Sequence, residues 1–105
     1  MDQQIARIAR LEIDPDQLPT YLDFLREEIE ASVRIEPGVI MLHATSSKDA
    51  PHLVQLLEVY ASRTAYEAHI ASPHFLKYKT GTMAMVRSLE LVEVDPILLA
   101  AKPTT

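Results

Sequence analysis

Along this chain the spacing between apolar residues changes in a fixed order, and that order leaves few folds open. In "IARIARLEI", Ile5–Ile13, β-branched and apolar residues crowd a short run that ends at "DPDQLP", which reads as a first strand. From Asp16 the spacing lengthens to three and four. Leu18, Leu22, Leu25, Ile29 and Val33 then form one helical stripe, with Asp23, Arg26, Glu27 and Glu30 on the wet side, to about Arg34. Glu36-Pro37-Gly38 is a turn, because Pro fixes one dihedral and Gly permits a positive φ. "VIMLHAT" reads as a second strand and residues 53–61, "LVQLLEVYA", as a third; the short polar "SSKDAPH" between them implies a hairpin. Ser62 caps a helix through "RTAYEAHIA", and Ser72 with Pro73 restarts one through "HFLKYKTGTMAMV", which Gly81 weakens. "SLELVEV" alternates as a last strand, and "KPTT" reads as a frayed tail.

The order β, α, β, β, α, β is that of an α+β, ferredoxin-like split βαβ fold, with two helices on one face of a four-stranded antiparallel sheet. The other face stays uncovered, so a homodimer is expected. At 105 residues the chain makes one domain, here residues 1–101, followed by a flexible tail at 102–105.

Composition narrows the function classes. With 15 acidic against 10 basic residues and no clustered Lys/Arg run, neutralisation of a phosphate backbone is hard to supply, so no nucleic-acid partner is expected. The absence of cysteine removes disulfides, thiolate catalysis and thiolate-bound metal. The first residues lack a signal-peptide pattern and no apolar run approaches the roughly 20 residues of a membrane span, so a cytoplasmic protein with no membrane partner is expected. Only Gly38 and Gly81 occur, too few for a phosphate-binding glycine loop.

The candidate chemistry gathers around "AYEAHIASPHFLKY". In the third strand Val54, Leu56, Glu58 and Tyr60 share a face, which sets one carboxylate in an apolar row. Such a group serves as a proton acceptor, as an orienter of a histidine, or simply as a structural hydrogen-bond partner. On the next helix His69 shares the face of Tyr66, and His74 follows Pro73 at a helix start. No metal is expected: His69 and His74 are five apart across a proline, unlike the spacing that puts two ligands on one helical face, and no third ligand is implied. His43 reads as a core or interface residue, and Met83 and Met85 as core filler.

Glu58, Tyr60, Ala65, His69, Ser72, Pro73, His74 and Phe75 stand in an order that resembles the antibiotic biosynthesis monooxygenase family of dimeric α+β barrel proteins. "EASVRIEPGVIML" is similar to that family's passage from first helix to second strand, so the resemblance covers residues 6–97. It implies a pocket between sheet and helices, and a family range from cofactor-independent quinol and polyketide monooxygenases to isomerases of a phosphorylated signal and haem-degrading members. Ile29 stands where many members carry a histidine, and the chain has neither the Asn nor the Trp associated with haem degradation. The resemblance therefore implies oxidation of a small electron-rich, quinol-like aromatic by molecular oxygen without a cofactor. His69 would be the catalytic base oriented by Glu58, and Tyr60, Tyr66, His74 and Phe75 would bind substrate. The alternatives are a non-redox isomerase of a hydroxyketone, with Arg34, Lys77 and Lys79 as cations for a phosphate, and a non-catalytic small-molecule-binding dimer.

Overall fold

A computed structural model describes residues 3–103. Strand β1 (Ile5–Ile13) leads through a single 3₁₀ turn, Pro15–Gln17, into α1 (Leu18–Ile35); β2 (Val39–Ser46) and β3 (Leu53–Tyr60) follow. Two short helices, α2 (Arg63–Ile70) and α3 (Pro73–Thr82), precede β4 (Val86–Val94). The strands form one antiparallel sheet in the order β2-β3-β1-β4, so the fold is α+β and ferredoxin-like, as the order of spacings predicts. Lys102 and Pro103 have no regular structure, while Thr104 and Thr105 of the expected tail lie outside the described residues.

The helices cover the face that carries Ala9, Leu11 and Ile13 of β1 and Val54 and Leu56 of β3, which pack with Tyr21 and Leu25 of α1 into the main core. A second cluster, Val39, Leu42 and Tyr60, lies toward α2. Ile29 touches both and joins them.

Several details depart from the sequence reading. The buried line of α1 is Tyr21, Leu25, Glu28 and Ser32, rotated from the expected stripe, and Val33 is 51% exposed. Two polar groups thus replace apolar ones at the end of the helix nearest α2. The register of β2 shifts between Val39 and Met41, so Val39 joins the core while Met41 and His43 take the other face, where His43 is exposed rather than buried in a core. Met85 does pack on the core, but Met83 is 65% exposed. The last strand begins at Val86, and α3 ends at Thr82.

Gly38 has no positive φ, so the turn does not require its conformational freedom. Its small size is needed instead, because a Cβ there would stand 2.5 Å from the Ala65 Cβ. The start of β2 can pack this closely on α2 only without a side chain, and α2 carries His69.

Gly38→Ala is accordingly expected to destabilise the fold by about 1–3 kcal/mol, the usual cost of overpacking. By chemical denaturation, Gly38→Ala with Ala65→Gly should lose less than the sum of the two single changes. Strict additivity would mean that this contact does not set the packing.

Candidate active site

The site is assembled where α2 stops and α3 starts. Ser62 caps α2 by accepting from the Ala65 amide, and Ser72 caps α3 by accepting from the Phe75 amide, each worth about 1 kcal/mol. The Ser72 hydroxyl also donates to the His69 carbonyl at 2.6 Å. The residue that restarts the chain as helix therefore also holds the last turn of α2, and with it the direction of His69.

His69 is 2% exposed, and each of its ring nitrogens meets a carboxylate. Nδ1 lies 3.0 Å from Glu36 Oε2 and Nε2 lies 3.3 Å from Glu28 Oε1. The ring is walled by Tyr60 and Phe75, with centroids 5.2 and 5.1 Å away. Glu28 accepts from the Ser32 hydroxyl at 2.9 Å, one helical turn on. Burial pushes the Glu28 carboxyl above the ordinary carboxylate range despite that hydrogen bond. Burial also acts upward on Glu36, but hydrogen bonds from His69 and His74 outweigh it and hold this carboxyl below the usual range.

Beside these groups a cavity of about 600 Å³ opens between the sheet and the helices. His69, Glu58, Tyr60, Tyr66 and Phe75 all line it, as the sequence reading expects. His74 does not; its Nε2 sits 2.6 Å from Glu36 Oε2, behind His69. Glu58 does not orient His69 either, since it accepts from the Tyr60 hydroxyl at 2.6 Å. The carboxylate that reaches both His69 and the cavity is Glu28.

Arg7 reaches the cavity from β1, donating to the Tyr66 hydroxyl at 2.8 Å and to Glu93 at 2.9 Å, while its Nε is buried without a hydrogen-bond partner. Lys79 and Arg87 also line the cavity, whereas Lys77 is paired with Glu27. A second hollow of about 490 Å³, lined by Arg10, Gln55 and Glu90 among others, lies apart from these groups.

Sequence reasoning missed Glu28, Glu36 and Arg7. A usable signal exists for Glu28, which continues the 21, 25, 28, 32 line at helical spacing but is masked by its neighbours Glu27 and Glu30. Glu36 reads as part of a turn and Arg7 as one of two strand arginines.

A sequence model of the antibiotic biosynthesis monooxygenase family matches residues 4–81. Of the solved structures, one from Bacteroides thetaiotaomicron, named for the same family, is 46% identical over 97% of each chain with a TM-score of 0.92. A Mycobacterium tuberculosis protein is 28% identical over 94% of this chain and 100% of its own, with a TM-score of 0.82. A Lactobacillus acidophilus protein named as a monooxygenase is 26% identical over 89% of this chain and 44% of its own, with a TM-score of 0.85. No curated protein matches the sequence.

Burial also sets the behaviour of the phenols. Tyr21, Tyr60 and Tyr78 are all held above the ordinary phenol range, first by burial and then, for Tyr21 and Tyr60, by the neighbouring Tyr78 and Glu58. The folded state binds these protons more tightly than the unfolded chain, so their contribution to stability is fully present below an unfolded pKa of about 10 and is lost as pH rises above it. Phenolate absorbance should therefore show these three tyrosines ionising only together with loss of the circular dichroism signal. Phenolate formation by all four tyrosines of a still folded chain would contradict the assigned burial.

Proposed function

The chain belongs to the antibiotic biosynthesis monooxygenase family, and from that premise we propose that it oxidises a small electron-rich, quinol-like aromatic with molecular oxygen and without flavin. The observation that carries this reading is the Glu28–His69 pair in the wall of an aromatic-lined cavity with ample room for an aromatic ring system. The pair takes the phenolic proton: Glu28 and His69 both stand in the cavity wall, with 3.3 Å between the carboxylate and Nε2. The ring anion supplies all the electrons: one oxygen atom bonds to a ring carbon that loses its hydrogen, and the other leaves as water. No external reductant is needed. The Tyr66 hydroxyl, which accepts from Arg7 and keeps its own proton to donate, would hold a developing oxyanion.

A second reading, isomerisation of a phosphorylated hydroxyketone, is favoured by Arg7, Lys79 and Arg87 around the same cavity. The expected cation set is corrected here, since Arg34 and Lys77 do not line it.

We further propose that the chain works as a homodimer joined through the sheet face turned away from the helices. Support comes from Ile8, Leu57 and Val92, which stand in register across that face and remain only half-buried. The cytoplasmic placement belongs to the same reading; among the described residues no helix is long and apolar enough to cross a membrane.

Chelator-treated protein tested on a quinol panel should consume oxygen and release quinone. Glu28→Gln should lower kcat by about 10²–10⁴-fold, the usual contribution of a positioned base. Uptake no faster than buffer on every quinol would overturn the oxygenase reading, and conversion of a hydroxyketone without oxygen uptake would establish the second. Light scattering at micromolar concentration should return twice the chain mass, whereas a stable monomer would refute the dimer.

A further inference from the structure

Glu36 does more than satisfy one histidine. Its Oε2 stands 3.0 Å from His69 Nδ1 and 2.6 Å from His74 Nε2, and the three ligand atoms of these residues lie within 4.8 Å of one another. We propose that Glu36, His69 and His74 bind one divalent transition-metal ion of the zinc class at the break between α2 and α3.

Two imidazoles and a carboxylate suit Zn²⁺, Co²⁺ or Cu²⁺ and do not suit Mg²⁺ or Ca²⁺, which take oxygen ligands. Tetrahedral bonds of about 2.0–2.1 Å set ligand atoms about 3.3 Å apart. The Glu36–His69 spacing is already close to that, while His74, on the first turn of α3 and partly exposed, must lengthen its 2.6 Å contact with Glu36 and close on His69 Nδ1, which lies within 4.8 Å.

The far nitrogen of His69 makes the stronger case. A metal-bound histidine characteristically gives its other N–H to a carboxylate, which fixes the tautomer and the ring plane. Nε2 of His69 has Glu28 at 3.3 Å, and Glu28 is 5% exposed and held in turn by Ser32. The second carboxylate also matches a cation. Among the described residues, Glu28 and Glu36 form ion pairs only with histidines, and their side chains are 5% and 14% exposed. Two carboxylates thus stand on either side of one buried ring, an arrangement that a divalent ion complements.

Neither Glu36 nor His74 lines the cavity, so the ion would sit behind His69, clasping the end of α1 to the α2–α3 break. The Nε2–Glu28 side stays open to substrate chemistry. This inference goes beyond the oxygenase reading and does not depend on it.

The test uses the untagged full chain, stripped by chelator and titrated with Co²⁺ and then Zn²⁺. The expected result is one Co²⁺ per chain with a tetrahedral ligand-field spectrum, displaced by Zn²⁺, and a Tm that rises with Zn²⁺. Glu28→Gln should keep the stoichiometry and weaken binding roughly 10–100-fold, the cost of losing an orienting carboxylate. Glu36→Gln and His74→Ala should each cost more than that, with His74→Gln as the replacement if His74→Ala does not fold by circular dichroism. The His43→Ala/His52→Ala double variant should bind like the parent. Absence of a saturable first equivalent would overturn the site, and so would binding that survives in folded His74→Ala or vanishes in the double variant. All these readouts are of binding, so a failed quinol assay leaves them untouched.

Discussion

One buried imidazole, engaged on both nitrogens, ties this domain together where its function is expected. His69 joins Glu28 in the body of α1, Glu36 at the end of α1, and, through Glu36, His74 at the start of α3. A polar cluster this dry is stable only if every member is satisfied, because an unpaired buried charge or donor costs several kcal/mol. Here each group has its partner, so the cluster fixes how three helical segments meet instead of loosening the core.

The cavity follows from that meeting. Had α2 and α3 been one continuous helix, His69 and Phe75 would lie nearly two turns apart on one rod, and their rings could not meet at 5.1 Å. The Ser72-Pro73 restart bends the chain so that both rings face the sheet. The close approach at Gly38 keeps α2 near the start of β2. Tyr60 and Leu56 of β3, with Arg7 of β1, then close the floor. The result mixes apolar walls with a few convergent polar groups, the usual character of a small-molecule site.

Family membership and site geometry answer different questions. Membership, carried by the match over residues 4–81 and the 46% identical structure, sets the fold and points to monooxygenase-like chemistry. The residues decide how protons are handled. In this chain Ile29 joins the two apolar clusters, while its neighbour Glu28 turns toward His69 and sets a buried carboxylate 3.3 Å from Nε2. A carboxylate in that place has its charged form penalised by burial, which makes it a stronger base than an exposed one.

Strand and helix order, the paired serine caps, and the shared faces of Glu58 with Tyr60 and of Tyr66 with His69 are legible in the residues, because each rests on local periodicity or on a hydrogen bond spanning a few residues, whereas the pocket itself and the place of Phe75 in it come from the family resemblance. Glu58 lies on the helix-facing side of β3 with Leu56 and Tyr60, and its partner is Tyr60, two residues away on the same face, not His69. Which carboxylate meets His69 depends on the packing of α1 against α2, and Glu28 and Glu36 lie 41 and 33 positions away in sequence. Local pattern carries no information about such contacts. The rotation of α1 that buries Glu28 and Ser32 while exposing Val33 has the same origin: apolar spacing defines a stripe, but the neighbour it must fit defines its centre. Sequence alone determined the fold and the aromatic end of the cavity wall; tertiary packing decided the rest of that wall and which charges surround the histidine, because those groups are brought together only when three separate helices close on one face of the sheet.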